Sequence, residues 1–287
     1  MTTAVPSGRI EKAYVDACLA ELHALKPGNV HIHAAGHGME LRHFETSARV
    51  SAPFVTNPEL GVGARVRLGV DATFAAAGCN TNLGILLLCA PLTAAAERGC
   101  EDLRKHLAHV LSSTGPQDAA DVFAAIARAS PAGLGQVDEG DVTAPPRITL
   151  LDAMTLASDR DRIARAYVTD FEDVFEFALP ALDRLRRTGA RSEDAITALH
   201  MALLAAFPDS HIARKHGQDA ARRVMAMAHE RQVLARPPIG KAAFATLLDF
   251  DRELKSQGYN PGTTADFVVA TLFAETIISK AAALQSR

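Results

Sequence analysis

The chain has 287 residues, 48% of them hydrophobic, and a net charge of only −3. A near-neutral chain of this length can bury a large core, but it has no general field to draw nucleic acid or anionic lipid. Any anion it binds must be met by locally gathered Lys, Arg and helix termini. Aromatic residues make up 5%, Trp is absent, and Ala and Leu dominate, a mixture that favours helix over strand. In chain order, helical spacing begins with Ile10, Ala13, Tyr14, Ala17, Cys18 and Glu21. Lys26-Pro27-Gly28 stops that helix, because proline presets φ for a turn and glycine supplies a positive φ after it. A loop crowded with His31, His33, His37 and His43 follows, and helices are expected over 41–53, 59–77 and 81–98. The longest apolar stretch, Leu83 to Ala96, is too short for a membrane span and is interrupted by Pro91 and Thr93, so it reads as a buried core helix. Helices over 101–112 and 118–129 lead into Ser130 to Pro146, a long loop with Gly133, Gly135 and Gly140 that reads as a lid. Beyond it, helical spacing resumes over 149–158, from Ile163 to Ala178, and over 192–206, 210–235, 240–257 and 263–284. No run alternates apolar and polar residues. The expectation is an all-α, single-domain helical bundle of roughly ten or more helices over residues 1–287, with a loop or lid near 130–148.

Four polar motifs sit where loops meet apolar runs: Lys26-Pro27-Gly28-Asn29-Val30, Gly78-Cys79-Asn80-Thr81-Asn82-Leu83-Gly84, Asp209 to Gly217, and Asn260-Pro261-Gly262-Thr263-Thr264-Ala265-Asp266. Structural loops need turn residues, but they rarely need cations and carboxylates in the same few positions. The four read as one shared site. Lys26, held by a rigid turn, loses little entropy on engaging a phosphate, and Glu21, one helical turn earlier, can position it. Asn80, Thr81 and Asn82 between glycines exceed what capping needs, and a helix N-terminus with free N–H groups binds phosphate or ribose hydroxyls. Asp71, on the preceding helix, can face the same cavity. Asp209 precedes the contiguous Arg214, Lys215 and His216, a pattern that suits one metal-binding carboxylate followed by phosphate-binding cations. Thr263 and Asp266 fit a capping pattern, while Asn260 and Gly262 point to a ligand.

Other chemistry finds little support. The histidine loop lacks an H-E-x-x-H or paired cysteines, so a general base or hydrogen-bonding wall fits it better than zinc. Neither a P-loop, a dinucleotide fingerprint nor a nucleophile elbow is present, and there is no adjacent His-Asp pair of the kind helical phosphohydrolases use. The four cysteines, Cys18, Cys79, Cys89 and Cys100, show no C-x-x-C spacing, and the N-terminus lacks signal-peptide regions, which together suit a reducing cytoplasm.

Taken together and in order, the four motifs resemble the triphosphoribosyl-dephospho-CoA synthase family along nearly the whole chain. That family shows K-P-G-L-V-D, G-V-N-T-H-K-G, D-x-N-x-x-x-R-G-G and S-P-G-G-S-A-D segments. The departures are His31 for the aspartate after the first motif, Asn82-Leu83 for the histidine-lysine pair of the second, and His216-Gly217 for the glycine pair of the third. The resemblance implies an all-helical enzyme that takes ATP and 3′-dephospho-CoA, expels adenine and joins a triphosphoribosyl group to the acceptor ribose. Loss of the lysine marks a divergent branch. An alternative acceptor is therefore a one-carbon carrier cofactor precursor with a tetrahydromethanopterin-like α-ribosyl linkage, and a non-catalytic nucleotide-binding protein is the alternative of another class. The donor is ATP or a phosphoribosyl diphosphate. Expected partners are small-molecule substrates, with no nucleic acid, no membrane, and room for a homodimer.

Ribosyl transfer passes through an oxocarbenium-like centre, so it needs leaving-group protonation, a base, negative charge near C1 and cations for the phosphates. This assigns His31 or His33 to proton transfer, and Asp209 and Asp266 to Mg²⁺ or to the positive centre. Asp209 and Asp71 are the candidate metal ligands. Lys26, Arg214 and Lys215 are assigned to phosphate, Asn80, Thr81 and Asn82 to ribose or phosphate, and Gly28, Asn29, Asn260, Gly262 and Thr263 to the substrate-binding turns. Asn at position 209 is expected to keep the helix cap while losing the charge.

Overall fold

The computed structural model describes residues 6–99, 101–129 and 148–285, and most of the expected lid lies outside them. Fourteen α-helices run through the described residues: α1 (Ser7–His23), α2 (Leu41–Val55), α3 (Val62–Ala77), α4 (Leu83–Arg98), α5 (Leu103–Ser112), α6 (Pro116–Ala129), α7 (Leu150–Ala157), α8 (Arg162–Val168), α9 (Leu179–Arg187), α10 (Ser192–Ala206), α11 (Ser210–His216), α12 (Gln218–Arg231), α13 (Lys241–Ser256) and α14 (Gly262–Gln285). No strand occurs among the described residues. Two isolated bridges, His31 to Ala34 and Gly36 to Met39, fold the histidine loop back on itself. The all-α expectation holds, and no single described helix is long and apolar enough to cross a membrane.

The chain divides into two compact units. The first comprises Met1–Ala17, His43–Glu172 and Leu272–Arg287. Its centre is α4, which is buried over most of its surface from Ile85 to Ala96, as its nearly unbroken apolar sequence requires. Helix α3 packs against α4 and α6. Gly63 permits the second contact: a Cβ there would stand 2.4 Å from the Asp118 carbonyl oxygen, and the Gly63 N–H donates to Asp118 Oδ1 at 2.8 Å.

The second unit comprises Cys18–Arg42 and Asp173–Thr271. Here α10, α11 and α12 pack together around Met201, Leu204, Ile212 and Val224, and α13 adds Leu247, Phe250 and Leu254 to the same core. Two expected helices are broken. The segment beginning at Ile163 stops at Val168 because Asp170 and Phe171 take φ of 48° and 56°, after which a π-helical stretch, Asp173–Ala178, leads into α9. Burial of Phe171 and donation by Arg104 to the Thr169 and Asp170 carbonyls compensate for that turn. The helix expected over 210–235 is divided at Gly217, whose φ of 87° an L side chain rarely adopts.

Candidate active site

Three of the four motifs meet inside the second unit. The turn after α1 carries Lys26 into complete burial, where it pairs with Glu21 and donates to Asn29 Oδ1 at 3.2 Å. Asn29 passes the connection on, its Nδ2 donating to Asn260 Oδ1 at 2.8 Å. Gly28 takes φ of +86°, and a Cβ on it would lie 2.7 Å from Pro261 Cδ, so the Pro-Gly turn of the first motif docks against the Pro-Gly turn of the fourth. Its N–H donates to Asp251 Oδ1 at 2.8 Å, and its carbonyl accepts from His37 Nε2 at 2.8 Å. The third motif joins through Asp209: Oδ1 accepts from the His211 and Ile212 N–H groups, capping α11, while Oδ2 accepts from the Thr264 N–H and hydroxyl at 2.7 and 2.8 Å. Gly262 opens α14, and a Cβ on it would lie 3.5 Å from the His211 ring.

The electrostatics follow from burial. Burial raises the Glu21 carboxyl and lowers the Lys26 ammonium, each opposed by the charge of the other. Asp266, half-buried near the start of α14, adds its negative charge toward Lys26. Burial alone would raise Asp251, but the nearby His31 ring and the hydrogen bond from Lys255 hold its carboxyl below the usual range. Burial pushes His200 down to about 3, with Lys26 adding to the effect, and its Nε2 donates to the Pro27 carbonyl at 3.4 Å. His211 is pushed down to about 4, first by burial and then by Arg214 and Lys215. His37 is lowered by burial and stands at φ 57°, an uncommon conformation of the kind that gathers at functional sites. Because the Gly28 carbonyl can only accept, His37 carries its proton on Nε2, which leaves Nδ1 as a neutral base.

The assigned residues differ in what they can reach. His31 is 1% exposed; its Nδ1 accepts from the His33 N–H, which places its proton on Nε2, 3.3 Å from Asp251 Oδ1. His33 is exposed, with its ring edge-on to Phe244. Arg214 and Lys215 are exposed on α11. Thr263 and Asn260 are buried in the fourth-motif turn. For magnesium the fit is poor: both Asp209 oxygens are occupied by two donors each from the chain itself, and no group of three His, Cys, Asp or Glu suited to a metal occurs among the described residues. Asp71, on α3 of the first unit, is about half exposed and lies 3.9 Å from Arg67.

The second motif belongs to the first unit. Asn80 Oδ1 accepts from the Leu83 N–H, Thr81 donates to Ser47 at 2.6 Å, and Asn82 donates to Ser51 at 3.2 Å. Sequence reasoning missed Asp251, Lys255 and His200. Asp251 and Lys255 stand four apart on a charged helix and read as a solvated pair, and His200 is a lone histidine in an apolar run; none carries a turn residue as a signal.

Over residues 7–284 the chain matches the CitG family model, described as ATP:dephospho-CoA triphosphoribosyl transferase. No curated protein matches it. Among solved structures it is similar to one from Archaeoglobus fulgidus, provisionally named a triphosphoribosyl-dephospho-CoA synthase, with TM-score 0.63 and 21% identity, covering 81% of this chain and 97% of that one. That likeness bears on the fold, whereas the family match spans nearly every residue and includes all four motifs. The chain belongs to the ATP:dephospho-CoA triphosphoribosyl transferase family.

Proposed function

We propose that the protein moves the triphosphoribosyl group of ATP, with release of adenine, to a hydroxyl of an acceptor such as the ribose of 3′-dephospho-CoA. The observation that carries this reading is the meeting of the first, third and fourth motifs around Asp209, Asn29 and Gly28 in a chain of this family. In the reaction the bond from C1′ to the adenine nitrogen breaks and a bond from C1′ to the acceptor oxygen forms. The hydroxyl proton passes to a base, and adenine leaves with a proton of its own.

His37 Nδ1 is the better base of the loop, since its lone pair is free of its own backbone and its imidazole is neutral near pH 7. His211, held neutral beside it, suits a hydrogen-bonding role at the leaving group. Arg214 and Lys215 meet the phosphates, and Asp266 supplies negative charge toward C1′. Lys26, consumed by Glu21 and Asn29, sets the potential of the turn from within.

Leu83, where the family has lysine, favours acceptors that need no cation at that point, so a precursor with an α-ribosyl linkage belongs in the same assay. The test is to incubate purified protein with ATP and each acceptor and to weigh the product by mass spectrometry. An acceptor heavier by one triphosphoribosyl group supports the reading; unchanged acceptor and bound, intact ATP leave a nucleotide-binding protein instead.

A further inference from the structure

The second motif was open between ribose and phosphate, and the direction of its hydrogen bonds decides. Ser47 and Ser51 lie one turn apart on α2, and each hydroxyl donates its only proton to the carbonyl one turn back, His43 and Ser47 respectively, at 2.6 Å. Ser51 Oγ can then only accept, so Tyr14 donates to it at 2.9 Å and Asn82 must present its amide nitrogen. By the same logic Thr81 donates its proton to Ser47 Oγ. The hydroxyl protons of the cluster therefore run inward toward α2, as does one of the two Asn82 amide protons. What remains includes acceptors on two consecutive residues: a lone pair on Thr81 Oγ1, and Asn82 Oδ1, which is buried in a residue 4% exposed and has no partner.

This orphaned oxygen sits at the N-cap of the sixteen-residue helix α4, where it makes no capping bond. The N–H groups of Gly84 and Ile85 that follow it have no intrahelical acceptor. The scaffold is tightly held, since a Cβ at Gly69 would come 3.0 Å from Leu86 and 3.6 Å from Ser51. Thr73, one turn further on the same face of α3, is 1% exposed and its hydroxyl also lacks a partner. An ionised phosphate offers only acceptors and would meet the Asn82 carbonyl oxygen with repulsion. A hydroxyl can donate to Asn82 while accepting from a first-turn N–H.

We propose that the N-terminus of α4 reads the vicinal hydroxyls of a ribose through Asn82 Oδ1 and Thr81 Oγ1, and does not bind phosphate. The inference rests on the ribosyl-transfer reading above, in which both the ATP and the 3′-dephospho-CoA carry such a ribose. Binding is measured by calorimetry for ATP, 2′-deoxy-ATP, 3′-deoxy-ATP and inorganic tripolyphosphate, and in a second arm for 3′-dephospho-CoA and CoA, whose 3′-hydroxyl is blocked. The wild-type protein should prefer the intact ribose in one arm by about tenfold or more, and that arm identifies the ligand whose ribose is read. Asn82→Ala and the near-isosteric Thr81→Val should each erase the preference while leaving tripolyphosphate affinity unchanged. Preference that survives both substitutions, or equal weakening of tripolyphosphate, overturns the inference alone. Absence of wild-type binding in both arms overturns the transfer reading and this inference with it.

Discussion

At Asp209 each carboxylate oxygen has a separate task, one capping α11 and the other holding the start of α14 through Thr264. The sequence suggested that Asn would keep the cap while losing the charge. The structure adds a further cost, because an amide that keeps its oxygen on the cap turns its NH₂ toward the Thr264 N–H, which can only donate. Asp209→Asn should therefore lower stability by about 1–3 kcal/mol, seen as a fall in Tm together with loss of turnover. A wild-type Tm would mean that the joint to α14 is dispensable. His200 offers a pH test. Its folded pKa of about 3 lies below the ordinary value of 6.5, so the unfolded chain binds more protons between them. The stability it contributes is complete above about pH 6.5 and is lost as pH falls toward 3. Melting temperature should decline on the acid side, and His200→Gln, which can still donate to the Pro27 carbonyl, should flatten that decline; an unchanged slope would contradict the assignment.

Among the elements, the turns are as specific as the helices. Gly28 combines a left-handed backbone with a close approach to Pro261, so Gly28→Ala brings both strain and a clash. A loss of roughly 2 kcal/mol or more is expected in the urea midpoint, with the first and fourth motifs uncoupled. On α11 the opposite holds. Arg214 is exposed, so Arg214→Ala should leave the midpoint nearly unchanged while ATP binding weakens by about tenfold or more, read by calorimetry. Helical class and most helix positions were legible from composition and spacing, because apolar residues recur at the helical period in nearly every segment. The break at Asp170 and Phe171 was not, since no Gly or Pro marks it and its support comes from Arg104, far away in sequence. The break at Gly217 carried its signal in the glycine itself.

For the molecule as a whole, turn residues mixed with charge exposed three motifs that the fold unites, while the residues binding them together stayed hidden. Asp251 accepts from Gly28 and Lys255 and lies beside His31, yet in the sequence it is one acid among several on α13. Ser47 and Ser51 are small polar residues inside a helix, and their meaning emerges only from where their protons go. Lys26 was read as a ligand-facing cation and is instead sealed against Glu21, so charge alone did not tell a buried support from an exposed contact. The central claim is ribosyl transfer from ATP, and it is tested most directly by quantifying, in one reaction, adenine released and 3′-dephospho-CoA consumed. Equal amounts of each, with no ADP or AMP formed, are expected. ADP or AMP in place of adenine, or adenine released with no acceptor consumed, would contradict it.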